Sequence, residues 1–210
     1  MDEKKLVWKE EGRKRVFTNK IFSVWESYCT TPQTVAAGKS SAAGAAPAAE
    51  TRTFSVIDAM DWAIIVPVIE SPMGAPLGGK FLMVWQWRPG TKSLSLEFPG
   101  GVFESGEEPL EAAARELREE TGYTPGKIKK IGEFSPNPAI MSNRVHFFLA
   151  EDLTDTGRQS LDEDEYVEAE LVDIDKVSRG IGEPPFIHAL MGSALSLYFK
   201  ERQKNEAARF

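Results

Sequence analysis

Cysteine and histidine are almost absent from this chain of 210 residues: Cys29 stands alone, and His146 and His188 are the only histidines. A single thiol excludes an intramolecular disulfide framework, and two histidines weaken the case for a zinc centre, whose ligands come mainly from Cys and His. Long apolar runs are missing as well. A membrane span needs about 20 consecutive apolar residues. The longest stretch, Trp62 to Ile69, falls far short and reads as a buried strand. Positive charge is in deficit, 25 Lys and Arg against 32 Asp and Glu, for a formal net charge of −7. That balance gives no general attraction for nucleic acid polymers or anionic membranes. The charged opening, MDEKKLVWKEEGRKR, has no apolar signal-peptide core. These absences lead to the expectation of a cytoplasmic protein.

What is present is enough apolar residue, 41%, for one globular domain or a domain with a smaller appendage. Residues 1–15 read as a charged tail or edge strand, 16–30 as one or two strands, and 51–58 as another. Between them, residues 34–50 are rich in Ala, Gly and Ser and read as a flexible loop. The expected division is therefore an N-terminal β region over 1–58 and a second domain over 59–210. In that domain, residues 62–70 and 81–89 are core strands. PLEAAARELREET (109–121) is an amphipathic helix with Pro109 in its first turn and Gly122 at its C-terminal cap. Leu110, Ala113, Ala114 and Leu117 are expected to form its apolar face. KIKKIGEFSP and RVHFFLAEDL read as a strand pair, YVEAELVDIDKV as a strand running into a turn, and residues 186–204 as a C-terminal helix. Strands and helices that interleave with hairpins give an α/β or α+β class with a mixed sheet.

The segment that carries chemistry is GVFESGEEPLEAAARELREETGY, residues 101–123. A helix turns once in 3.6 residues, so Glu116, Glu119 and Glu120 share one face within a single turn. Like charges so placed repel, and a cation among them removes the conflict. Carboxylate oxygens select hard ions, Mg²⁺, Mn²⁺ or Ca²⁺. Mg²⁺ keeps waters and binds substrate phosphate oxygens, which points to phosphate or pyrophosphate work. An isolated Glu-x-x-Glu-Glu would be a solvated acidic face; the surrounding residues decide otherwise.

Gly101, Glu107, Arg115, Glu116, Glu119, Glu120 and Gly122 resemble the Nudix box at every fixed position: Gly, five residues, Glu, seven residues, Arg-Glu-aliphatic-x-Glu-Glu-x-Gly-aliphatic. Leu117 supplies the first aliphatic residue, and Tyr123 departs at the last, a packing position. The resemblance implies an α/β/α sandwich and hydrolysis of a nucleoside diphosphate derivative with Mg²⁺, Mn²⁺ being the alternative. It implies that Glu116 and Glu120 are the principal metal ligands and that Glu119 is a further ligand or water-binding group. The Gly100 carbonyl is implied as an additional ligand. Arg115 would hold a box glutamate in place, and Gly100, Gly101 and Gly106 would let the backbone wrap the site.

The flanks, SLEFPGGVFESGE and FLMVWQWRP, with Pro138 fifteen residues beyond Tyr123, resemble the ADP-ribose pyrophosphatase branch of that superfamily. That resemblance implies a homodimer built through the N-terminal sheet; the charge balance leads to the expectation of no nucleic acid or membrane partner. It assigns substrate contact to Arg88, Glu97, Arg52 and Pro138. It places a general base on the loop holding Asp162, Glu163, Asp164 and Glu165, of which Glu165 is preferred because it precedes a strand. Trp25, Trp62 and Trp87 are aromatic faces available to a base, with core packing the preferred reading, and His146 and His188 are read as packing or surface residues. SPNPAIMSN departs from the branch's more usual Pro-Gly sequence, which leaves GDP-mannose, other nucleotide sugars and dinucleoside polyphosphates as alternative substrates. A non-catalytic binding module is the second alternative, disfavoured because the box glutamates are all present.

Overall fold

A computed structural model describes residues 6–31, 50–70, 79–161 and 165–207. The loop expected over 34–50 lies, apart from Glu50, outside the described residues, as do Asp162, Glu163 and Asp164. The chain forms two compact units, Met1–Met60 with Asn137–Asn143, and Asp61–Pro136 with Arg144–Phe210.

The first unit is an antiparallel sheet in the order β1 (Lys9–Thr18), β2 (Phe22–Thr30), β3 (Thr51–Ala59). Asn19 closes the β1–β2 turn by accepting the N–H groups of Ile21 and Phe22. β1 is exposed along its whole length, as befits an edge strand carrying Lys9, Arg13, Lys14 and Arg15. The segment 137–143 attaches to β3: Ile57 donates to the Ile140 carbonyl at 2.7 Å and its own carbonyl accepts Ser142 N–H at 3.0 Å.

The second unit is a mixed six-stranded sheet between helices. Its strands are β4 (Trp62–Glu70), β5 (Gly79–Arg88), β6 (Ser93–Glu97), β7 (Tyr123–Phe134), β8 (Val145–Asp155) and β9 (Val167–Asp173). The helices are α1 (Pro109–Thr121), α2 (Ile174–Gly180) and α3 (Ala189–Ala207). β4 and β8 run parallel at the centre, β7 pairs antiparallel outside β8, and β5 pairs antiparallel with β4, β6 and β9. Alternation along each strand sorts the core into two layers. Val66, Val68, Phe81, Met83, Val145, Phe147 and Leu149 face α2 and α3. Ala63, Ile65, Leu82, Phe148 and Ala150 face Ala113 and Leu117 of α1. This is the expected α/β/α sandwich.

Besides a register shift in β7 between Lys130 and Gly132, the sheet has a gap between β4 and β5. The two strands pair only over Val68↔Phe81, Ile69↔Lys80 and Glu70↔Gly79. β9 runs along β5 from Lys80 to Gln86, so β4 and β6 share the opposite edge of β5, at its two ends. The first half of β4 therefore diverges from β5, and the segment after β6 enters the gap. Ala63 N–H donates to the Gly101 carbonyl and Ile65 N–H to the Pro99 carbonyl, each at 2.9 Å. Trp62 bridges to Val102.

Several local expectations are corrected. β6 falls between the strand expected over 81–89 and the helix at 109–121, where no element is expected, although SLSLE alternates as a strand should. β7 begins at Tyr123, so TPG belongs to the strand; Pro125 is tolerated because β7 lies at the sheet's edge. Residues 174–180 make α2 rather than a turn. The buried face of α1 holds Ala112, Ala113, Glu116, Leu117 and Glu120, while Leu110 is exposed. The buried face is rotated from the expected one, taking in Ala112, Glu116 and Glu120 and leaving Leu110 outside. Among the described residues no helix is long and apolar enough to cross a membrane.

Candidate active site

Helix α1 begins with Pro109, whose missing N–H costs nothing in a first turn, and ends on Gly122 in the left-handed conformation (φ 76°), whose N–H returns to the Arg118 carbonyl. Packing of Ala113 and Leu117 on the sheet orients the helix, and that orientation turns Glu116 and Glu120 inward toward the segment lodged beside β4. Both are buried, with relative exposures of 7% and 2%.

The segment meets them through two glycines. Gly100 N–H donates to Glu120 Oε2 at 2.8 Å. A Cβ on Gly101 would stand 2.5 Å from Glu116 Oε1, and one on Gly100 would collide with the Ala63 carbonyl. Only residues without side chains allow this approach of backbone to carboxylate.

Arg115 organises the outer half of the site. Its Nε and Nη2 donate to the two oxygens of Glu107 at 2.9 and 3.0 Å. Nη1 donates to Glu116 Oε1 at 2.9 Å and to Glu119 Oε2 at 3.0 Å, and Nη2 also reaches the Val102 carbonyl. The planar fork is what permits one side chain to hold three carboxylates. These bonds, Glu107 foremost, keep the guanidinium firmly protonated and hold the Glu107 carboxyl below its ordinary pKa. Glu119 has a further, longer contact with Arg118 at 3.8 Å.

Glu116 and Glu120 show the opposite electrostatics. Burial pushes Glu116 up to about 7 against the pull of Arg115, with the charges of Glu165 and Glu119 adding to the rise. Burial pushes Glu120 up to about 8; the Gly100 N–H opposes this, while Glu116 and Glu165 reinforce it. The site thus gathers more negative charge than its own donors neutralise. The donor set consists of hard carboxylate oxygens with a backbone carbonyl available from Gly100, and it fits a hard divalent cation. Among the described residues no three His, Cys, Asp or Glu side chains converge to hold a metal, and Arg115 pairs with Glu116 and Glu119.

Beside these carboxylates lies a cavity of about 320 Å³ whose lining includes Trp62, Arg88, Glu97, Gly100, Gly101 and His188. Arg88 on β5 grips Glu97 on β6 with two bonds, Nε to Oε1 at 3.0 Å and Nη2 to Oε2 at 2.7 Å. Glu97 is 3% exposed. Burial pushes its carboxyl up, and the bonds from Arg88, foremost among the opposing contacts, help hold it below the usual range. Glu165 lines a second, wider hollow of about 590 Å³ with Trp85, Leu94, Leu161, Tyr166 and Glu168.

The structure therefore brings together Glu116, Glu120, Gly100, Arg115 and Glu119, with Arg88 and Glu97 along the adjoining cavity. Glu165 lies within electrostatic reach of Glu116 and Glu120. Arg52, on β3, and Pro138 belong to the other unit; Arg52 is exposed and pairs with Glu50 at 3.4 Å. Trp62 lines the cavity, Trp87 is exposed, and Trp25 lies in the N-terminal sheet under the Arg13 guanidinium, 4.4 Å from its ring centroid. His146 is buried, with Nδ1 2.9 Å from Lys130 Nζ and Nε2 3.2 Å from Asp61 Oδ2. The expected placement of His188 on the C-terminal helix is corrected. His188 precedes α3, which begins at Ala189, and lines the cavity with Nδ1 3.7 Å from Glu97 Oε2. Nothing in FIHAL signals this, since the contact is made 91 residues away in sequence (188 − 97).

The NUDIX domain profile matches residues 63–190, which contain this site. The chain belongs to the Nudix family. Among its relatives, an "ADP-ribose pyrophosphatase" of Bacillus subtilis (strain 168) is 47% identical over 91 residues, covering 43% of this chain and 49% of the relative. An "ADP-sugar pyrophosphatase" of Mus musculus is 37% identical over 111 residues, 48% of each chain. The chain spans about half the length of the curated relatives it matches. A solved structure described as "Crystal structure of ADP compounds hydrolase" superposes with a TM-score of 0.73 at 20% identity, covering 94% of this chain and 95% of that one. That likeness establishes the fold well beyond the profile match.

Proposed function

We propose that this protein hydrolyses the pyrophosphate bond of a nucleoside diphosphate derivative with Mg²⁺, and that ADP-ribose or a related ADP-sugar is its substrate, giving AMP and a sugar phosphate. The observation that carries this reading is the pair of buried carboxylates, Glu116 and Glu120, set against Gly100 and Gly101 beside a cavity lined by Arg88. The names of the relatives support the choice of ADP derivatives over GDP-mannose or dinucleoside polyphosphates.

Glu116, Glu120 and the Gly100 carbonyl are the groups that would hold the cation, with Glu119 available once released from Arg115. When bound, such an ion lowers the pKa of a coordinated water and neutralises charge on the leaving phosphate. The chain's own residues do the rest. Arg115 positions Glu116, Glu119 and Glu107 without touching substrate. Glu165 takes the proton from the attacking water. Arg88 offers its fork to phosphate oxygens, and Glu97 accepts a hydroxyl or orients Arg88. Arg52 and Pro138 are assigned substrate contact from a second copy of the chain, in a homodimer built through β1–β3.

The test is a panel assay of the full chain with Mg²⁺ on ADP-ribose, ADP-glucose, GDP-mannose and diadenosine tetraphosphate, measuring nucleotide release. AMP from the ADP compounds is expected. Preference for GDP-mannose or the tetraphosphate would overturn the substrate assignment, and no release from any compound would overturn the enzyme.

A further inference from the structure

The cavity beside the carboxylates contains a group that the proposed reaction does not use. His188 lies within 3.7 Å of Glu97, and Glu97 is the most deeply buried charge lining that cavity. Both oxygens of Glu97 are already taken by Arg88. With one cation satisfying one anion, His188 has no reason to be charged. Burial lowers its pKa and outweighs the pull of Glu97, while Arg88 lowers it further. The N-terminus of α3, which begins at Ala189, adds a positive end beside it.

Arg88 is the member of the trio that can leave. Its side chain is 40% exposed, whereas that of Glu97 is 4% exposed. A diphosphate carries more charge than one carboxylate and accepts the same two-pronged bond. An Arg88 that turns to phosphate leaves Glu97 buried with one fewer partner, and stripping a buried ion of its partner costs roughly 3–5 kcal/mol.

We infer that His188 is a positioning residue that takes a proton from solvent when Arg88 engages the substrate's diphosphate, replacing the charge Glu97 has lost. The proton goes to the imidazole, no bond to carbon or phosphorus changes, and the proton returns to solvent when product leaves. The charged groups that face His188 are Glu97 on β6 and Arg88 on β5, with the α3 terminus on its own element and Glu120 of α1 within electrostatic reach of Arg88. Engagement of Arg88 by phosphate weakens one opposing charge and frees Glu97 to favour the imidazolium. Substrate binding and proton binding therefore reinforce one another. The inference rests on the proposed function, since it needs a diphosphate in this cavity.

The experiment is calorimetric titration of the full chain, already saturated with Mg²⁺ so that Glu116 and Glu120 have shed their protons, with α,β-methylene ADP-ribose at pH 7.5, in two buffers of different ionisation enthalpy. Binding with uptake approaching one proton is expected of the unaltered protein. His188→Gln should lose that uptake and raise KM by roughly fivefold or more, with the change in KM rather than kcat. His188→Lys, whose amine holds its proton to higher pH than imidazole, should bind with less uptake and restore KM, flattening its dependence on pH between 6 and 8. Binding without proton uptake, or uptake that survives His188→Gln, overturns this inference and leaves the proposed hydrolase standing. Failure of the analogue to bind at all overturns the proposed function and this inference with it.

Discussion

Replacing Glu120 by Gln should make the metal-free protein more stable while destroying its use of metal. The carboxyl is 2% exposed, receives one hydrogen bond, from Gly100 N–H, and is pushed by burial from 4.5 up to about 8. A group whose folded pKa is raised adds its full share of stability below the ordinary value, near 4.5, and loses it as pH climbs through about 8. At pH 7 the interval above 4.5 is roughly 2.5 pH units, which at about 1.4 kcal/mol per unit makes a penalty of order 3 kcal/mol. Glutamine keeps an oxygen for Gly100 N–H and carries no charge, so it escapes that penalty. At roughly 2–4 °C per kcal/mol for a chain of this size, the metal-free variant should melt about 6–12 °C above the unaltered protein at pH 7. The gap should close toward pH 5. Saturating Mg²⁺, at about 100 times its dissociation constant, should raise the unaltered protein by about 2.7 kcal/mol and leave the variant unmoved. Scanning calorimetry across pH 5–8.5, with EDTA or Mg²⁺, reads all of this. A variant that melts at or below the unaltered protein at pH 8, or a gap equal at pH 5 and 8, would refute the reasoning.

Three further substitutions probe other parts of the site. Arg115→Ala strips Glu107, Glu116 and Glu119 of their shared donor and should cost roughly 3 kcal/mol of stability together with most of kcat; Arg115→Lys should restore little, because an ammonium cannot span three carboxylates. Denaturant melts of both variants check this, and a rescue by lysine would show that charge alone suffices. Gly101→Ala places a methyl against Glu116 and should lower Mg²⁺-dependent turnover by about tenfold or more, unless the carboxylate yields without loss of activity, which would deny Glu116 its assigned place. Glu165→Gln should reduce kcat more than about tenfold with an unchanged circular dichroism spectrum; an unchanged kcat removes that residue as the base.

The part of the site legible in the sequence is the part that is local. Arg115, Glu116, Glu119 and Glu120 sit within two turns of one helix, so helical geometry and the caps at Pro109 and Gly122 decide their common face. Apolar periodicity misplaces the helix's buried face because it counts only apolar residues: Glu116 and Glu120 are buried, and Leu110 is not. Arg88 and Glu97 are each visible as single residues, but their pairing depends on the β5–β6 hairpin, whose second strand is only five residues long. His188 is illegible for a stronger reason. Its partner belongs to a strand on the far side of the box, and only the completed sandwich brings α3 to that strand. Pro125 and Gly126 conceal the start of β7, since both residues usually mark a turn and only an edge position excuses them.

The gap between β4 and β5 has a consequence for how the molecule breathes. Two amides of a central strand, at Ala63 and Ile65, are tied to the carbonyls of Gly101 and Pro99 and not to a neighbouring long strand. Whatever loosens the glycine segment must also expose those amides, deep in the sheet, to solvent. Deuterium entering at positions 63 and 65 would therefore report on the glycine cradle of the proposed site, and ligands that tighten the cradle would slow that entry in proportion to their grip.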